Sequence, residues 1–203
     1  MNRTKKTLII AMLTALTMIL ITSCSGDSGG EAGDVSAPFA KTEVADLSGY
    51  ESMADYSGES RLIETDVAEA IKLINDKESF ILFFSYEDCP YCNQIMPYVN
   101  EVAEETGQFV GYVDTRSDPE WQSNMDIDNY DLVIKYFGDY LQKDEDGKDH
   151  LYTPDIYFIK NGKVVARHDG VIPGEDLDPS RPLTSGQEET LKETLKEKFR
   201  TVQ

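Results

Sequence analysis

Cysteine is scarce in this chain of 203 residues: Cys24, Cys89 and Cys92 are all there is. So few exclude a small fold stapled by several disulfides, which needs four or more. There is no second Cys-x-x-Cys, and the only histidines are His150 and His168, so a four-ligand structural zinc has almost nothing to draw on and no metal or cofactor is expected. Positive charge is also short, with 19 Lys and Arg against 38 Asp and Glu and a formal net charge of −19. Nucleic acid is thereby excluded as a partner, since phosphate binding needs clustered basic residues. Charge alone would not hold such a chain to anionic headgroups either. Long apolar runs are missing except one, Thr7 to Thr22, which is too short for an ordinary membrane span. There is no internal repeat.

That run comes after Arg3, Lys5 and Lys6, giving the charged and apolar regions of an export signal. It ends in Ile21-Thr22-Ser23-Cys24, which resembles the lipobox of bacterial lipoproteins. The resemblance implies that residues 1–23 are removed and that Cys24 is lipidated, tethering the protein to the extracytoplasmic face of the cell membrane without spanning it. Cleavage takes the net charge from −19 to −22. Residues 24–60 are rich in Gly, Ser, Asp, Glu and Ala and read as a flexible acidic linker. The folded domain is expected over 61–203.

Within it, Leu62-Ile63 is a short strand, and Asp66 caps a helix whose Val67, Ala70, Ile71 and Ile74 recur at helical spacing. Phe80 to Phe84 is apolar on both faces, as a central covered strand must be. Ile95, Met96, Val99, Val102 and Ala103 then line one face of a helix ending near Gly107, with Pro97 inside it. Next come a strand over 108–114, a helix over about 129–140 and a polar loop over 142–150. Asn161-Gly162 joins strands 155–160 and 163–168 in a hairpin. Leu191, Leu195 and Phe199 mark a terminal amphipathic helix over 187–199. This order predicts an α/β domain, a central mixed sheet flanked by helices.

The chemistry centres on Cys89-Pro90-Tyr91-Cys92, between the apolar strand and the next helix. Two cysteines at this spacing close a ring when the backbone turns as a helix start does, and proline suits that turn. The positive end of the helix dipole favours a thiolate on Cys89, making it the attacking sulfur, with Cys92 one turn further in as the resolving thiol. Glu87 and Asp88 oppose that shift. An inert structural disulfide is the competing reading, though so short a loop adds little entropy. Asp144 to Asp149 lacks the spacing and terminal glutamate of a calcium loop and reads as solvated turn.

The chain resembles the thioredoxin superfamily over about 61–202. The carrying features are Phe80–Phe84, Cys89–Cys92, and Thr153-Pro154, with Pro154 lying 62 residues beyond Cys92. Phe158, Asn161-Gly162-Lys163 and Gly170 also fall in the family's order. The resemblance implies a thioredoxin-like fold, a disulfide between Cys89 and Cys92 as the catalytic pair, and a cis peptide bond before Pro154. It assigns substrate-backbone pairing to Thr153 and a substrate-facing surface to Pro154, Pro90 and Tyr91. The lipobox, the Asp88–Cys92 string and the long segment before Thr153 resemble, more narrowly, bacteriocin-transport-accessory-like thioredoxins of Gram-positive bacteria. One departure stands out: where thioredoxins bury an aspartate six residues before the first cysteine, this chain has Phe83. Either water or another acid, Glu87 or Asp155 beside Pro154, would then take its role.

The activity this resemblance implies is that of a thiol–disulfide oxidoreductase of either direction, acting on thiols or disulfides of exported proteins and coupled to a membrane electron donor or acceptor. A second class stays open, a non-catalytic scaffold that binds an exported peptide such as a bacteriocin. Reduction of apocytochrome cysteines for haem attachment is a third.

Overall fold

The run Phe80–Phe84 becomes the middle of the sheet. In the computed structural model, which describes residues 37–116 and 127–203, every residue of that strand is buried. Strands β1 (Leu62–Glu64), β2 (Phe80–Ser85), β3 (Val110–Asp114), β6 (Asp155–Lys160) and β7 (Lys163–Asp169) form one sheet in the order β1-β3-β2-β6-β7. The first three are parallel, and β6 and β7 are antiparallel to their neighbours. Between β3 and β6, β4 (Gln142–Lys143) and β5 (Asp149–His150) make a separate ribbon where a plain loop was expected. The Asp144 carboxylate closes its turn by accepting from the N–H groups of Asp146 and Lys148, at 2.9 and 2.8 Å.

Side chains alternate across the sheet and sort into two apolar layers. Phe83, Ile156 and Phe158 face α2 (Pro90–Thr106) and α4 (Ser185–Arg200). Leu82, Phe84, Tyr157 and Ile159 face α1 (Val67–Asn75) and α3 (Tyr130–Phe137). Local chemistry sets the ends of these helices. Asp66 accepts the Glu69 N–H at 2.8 Å, and Thr184 and Gln187 form a reciprocal capping box on α4. Gly107 terminates α2 in the left-handed conformation, φ 66°. The hairpin turn needs φ > 0 at Asn161 and Gly162, and a Cβ on Gly162 would collide with the Ile74 carbonyl. The architecture is a thioredoxin-like three-layer fold, as expected.

The domain begins earlier than residue 61. Residues 37–60 fall in the same compact unit as the sheet, and among them Phe39, Ala45, Leu47 and Tyr50 are buried. Phe39 stacks edge-on against Phe80, at 5.9 Å, in the α1/α3 layer; Tyr50 lies in the α2/α4 layer. Between them the chain runs along β1, with the Ala45 N–H donating to Leu62 O at 2.9 Å and the Glu64 N–H to Glu43 O at 3.1 Å. Residues 37–60 are therefore part of the fold rather than the linker their composition suggests. Four buried residues, Phe39, Ala45, Leu47 and Tyr50, anchor a segment that is otherwise polar. Residues 1–23, Cys24 and Trp121 lie outside the described residues. Among those described, no helix is long and apolar enough to cross a membrane.

Candidate active site

Cys89 is the N-cap of α2, with φ −77° and ψ 115°, and its Sγ accepts the backbone N–H of Cys92 at 3.1 Å. Pro90 fills the first helical position, where its missing N–H goes unneeded. The two Cα atoms are 5.1 Å apart and the sulfurs are joined as a disulfide. Cys89 is 3% exposed and Cys92 0%, the latter in the apolar layer with Phe83 and Ile95. The N–H bond and the helix end that hold Cys89 Sγ here are the groups that stabilise a thiolate once the pair is reduced.

Asn93 braces the turn. Its Nδ2 donates to the carbonyls of Glu87 and Cys89, and its Oδ1 accepts from the Ser52 N–H at 3.3 Å. The Cys89 N–H reaches Tyr86 O at 3.2 Å, and the Arg116 guanidinium sits 4.0 Å above the Tyr86 ring. Sequence reading missed Asn93 because nothing in its spacing marks an amide as a brace.

Opposite stands Thr153, joined to Pro154 by a cis peptide bond. Its carbonyl oxygen lies 3.7 Å from Cys89 Sγ, and its hydroxyl points at the same sulfur from 3.8 Å. Beside this contact a groove of about 260 Å³ opens, walled by Tyr91, Tyr152, Thr153, Pro154, Ile172 and Leu177. Tyr91 donates its hydroxyl to Leu177 O at 3.2 Å, tying the Cys89–Cys92 turn to the loop after β7. Cys89, Tyr91, Cys92, Thr153 and Pro154 thus meet at one place, whereas Pro90 lines a separate hollow with Asn93, Gln94 and Pro97.

Phe83 is fully buried and packs edge-on to Tyr112, at 6.4 Å. Of the two acids named for the missing aspartate, Asp155 is on the wrong side. It pairs with Phe84 in the sheet and so shares the α1/α3 face, away from Cys92. There both its oxygens accept from Arg167, Nε to Oδ1 at 2.8 Å and Nη2 to Oδ2 at 2.9 Å, and Tyr157 donates to it at 2.8 Å. Burial pushes Asp155 up to about 6 against the pull of Arg167 and Tyr157. Glu87 is exposed, with its side chain lying across Gly49. On the Cys92 face there is a buried cluster of hydroxyls: Tyr50 bonds Ser85 at 2.7 Å and Tyr112 at 2.9 Å. Burial raises both phenols, keeping them neutral donors rather than bases.

His168, on the α2/α4 face by its pairing with Ile156, is fully buried with Nε2 2.9 Å from Val171 O. Burial lowers it to about 4, helped by Lys198 and opposed by the Val171 bond and Asp169. Its folded value lies below the unfolded 6.5, so its contribution is present above 6.5 and lost as pH falls toward 4. Urea denaturation of the native chain and of His168→Gln should diverge accordingly. At ~1.4 kcal/mol per pH unit, the native chain is expected to lose about 2–3 kcal/mol more than the variant between pH 7.5 and 4.5. Parallel curves would refute a buried neutral imidazole.

A family model described as TraF: F plasmid transfer operon protein matches residues 56–132. A comparison with curated proteins finds no match. Among solved structures, thioredoxin from Fasciola hepatica is similar at 20% identity and TM-score 0.40, covering 70% of this chain and 99% of its own. Oxidised thioredoxin O2 from Arabidopsis thaliana is similar at 18% identity and TM-score 0.37, covering 55% and 84%. A thioredoxin mutant from Halobacterium salinarum NRC-1 is similar at 15% identity and TM-score 0.39, covering 70% and 95%.

Proposed function

We propose that this thioredoxin-superfamily chain is a thiol–disulfide oxidoreductase, held by a lipid on Cys24 at the outer face of the cell membrane and acting on exported proteins. The observation that carries the reading is the placement of Cys89 Sγ. It caps a helix N-terminus, bonded to the Cys92 N–H, and meets Thr153 across the mouth of a groove. Those are the conditions for a low-pKa, attacking sulfur beside a surface that can hold a peptide.

In the reducing direction the Cys89 thiolate attacks one sulfur of a substrate disulfide. A bond forms between Cys89 and that sulfur, and the second substrate sulfur leaves as a thiolate. Cys92 loses its proton and attacks Cys89 Sγ, restoring the intramolecular disulfide and releasing the first substrate thiolate. Two electrons pass from the cysteine pair to the substrate, and a membrane dithiol must return them. Run backward, the steps donate a disulfide and the membrane partner accepts the electrons. With Phe83 where a carboxylate stands in thioredoxins, the Cys92 proton passes to solvent or to the substrate thiolate.

A second reading, a peptide-binding scaffold such as a bacteriocin accessory, draws on two features: the low exposure of Cys89 and the apolar Phe83. Equilibration of the Cys89–Cys92 pair against glutathione separates the two. The oxidoreductase is expected to equilibrate, at about −270 mV for a reductant or toward about −120 mV for a disulfide donor. A folded chain whose pair never exchanges would leave only the scaffold.

A further inference from the structure

The groove beside the disulfide has a sign. Besides its tyrosines and apolar residues, Asp169, Glu175 and Asp176 line it, and no lysine, arginine or histidine among the described residues does. Asp169 Oδ2 takes Gln142 Nε2 at 3.4 Å and Arg167 Nη1 at 3.5 Å, but that guanidinium also holds Asp155 behind the groove. Glu175 takes a neutral partner, Gln187 Nε2 at 3.1 Å. On the other side of the disulfide, Glu87 and Asp88 are exposed just ahead of Cys89. Arg116 lies on that side too, stacked on Tyr86. Arg181 lines the neighbouring hollow, with which the groove shares Asp176 and Leu177.

We propose that this groove selects cysteine-containing segments flanked by lysine or arginine, so that the substrates are exported chains whose reactive cysteine sits in a basic stretch. The inference rests on the oxidoreductase reading and names its substrate class. An extended segment held by Thr153 lies in the groove alongside Tyr91 and Tyr152, placing residues on one flank of its cysteine beside Glu175 and Asp176. Tyr91 and Tyr152, 37% and 42% exposed, offer faces for the aliphatic stems and cationic heads of such side chains. An acidic flank would instead meet carboxylates on both sides of the sulfur. Because the whole chain is acidic, a general attraction to cations must be told apart from selection by the groove.

The test uses the full chain carrying Cys92→Ser, reduced, with short peptides whose single cysteine is joined by a disulfide to thionitrobenzoate. The Cys89 thiolate attacks the peptide sulfur, the new bond joins Cys89 to the peptide, and thionitrobenzoate leaves as a coloured thiolate. Arginine-flanked peptides are expected to react about 10-fold faster than glutamate-flanked ones at low salt, with the ratio shrinking as salt screens the field. Glu175→Gln with Asp176→Asn should cut that ratio to about 3 or less. Glu193→Gln with Glu197→Gln, the same charge change on α4, should leave it standing. A ratio untouched by the groove pair, or lowered equally by the α4 pair, overturns the inference while the oxidoreductase reading survives. Absence of exchange with every peptide brings down that reading and this inference together.

Discussion

Cys92→Ser is expected to turn a transient encounter into a stable adduct. With the resolving sulfur gone, a substrate captured by Cys89 has no intramolecular route of release, so non-reducing gels of cells making the variant should show Cys89-linked partners that vanish on reduction. Turnover of a disulfide substrate should fall at least about 100-fold in Cys92→Ser and as far in Cys89→Ser, but only the former should accumulate adducts. The asymmetry comes from position. Cys89 caps the helix at the groove mouth, whereas Cys92 is fully buried one turn in. Loss of the short disulfide costs only about 2 kcal/mol by loop entropy, so both variants remain folded. Equal adduct formation through Cys92 would reverse the assigned roles. No adducts from either variant, with biological activity intact, would favour the scaffold.

The largest effect on stability is expected from Arg167→Leu. Asp155 is fully buried, and the substitution removes both guanidinium bonds from its carboxylate. Breaking a buried pair by removing one partner costs about 3–5 kcal/mol, because the remaining charge is uncompensated. The penalty has a definite pH dependence. Asp155 is already raised to about 6 with Arg167 present, and it rises further without it. A carboxyl raised in the folded state contributes stability that is present below its unfolded value of 3.8 and lost as pH rises through the folded value. Urea denaturation should therefore find the variant most impaired at pH 8 and much less so at pH 4.5. Adding Asp155→Asn to Arg167→Leu should recover most of the loss at pH 8. A pH-independent cost would mean that packing of the arginine stem, not charge, holds this corner.

Much of the fold was legible because its signals are local. Phe80–Phe84 had to be covered on both faces, Asn161-Gly162 had to turn, and Leu191, Leu195 and Phe199 had to share a helix side. The Cys89–Cys92 turn was legible for the same reason, four residues long between a strand and a helix. What escaped depends on contacts between distant positions. Phe39, Ala45, Leu47 and Tyr50 have no common period, so a segment anchored by them looks like linker. The Asp155–Arg167 pair is diagonal across a hairpin whose register shifts at Phe158/Ile159, which a simple count from the turn does not locate. That same alternation places Asp155 on the far face, so its closeness to Pro154 in sequence misleads about its reach to Cys92. The groove wall at Ile172–Leu177 is a loop with no pattern of its own, brought to the site by the Tyr91–Leu177 bond.

The passage of residues 43–45 along β1 has a consequence for how neighbouring copies behave. β1 is a border strand of the sheet, and its outward N–H and C=O groups would be a template for strand addition by another chain. The Glu43, Val44 and Ala45 backbone occupies that template from within, through an antiparallel bridge between Val44 and Ile63. At the opposite border, β7 has Lys163 and Arg167 along it and a register irregularity beside it, both of which discourage flat edge-to-edge pairing. On the proposed membrane anchor these domains would be confined to two dimensions and collide often. A sheet insulated at both borders could be crowded there without polymerising, leaving the groove beside Cys89 unobstructed.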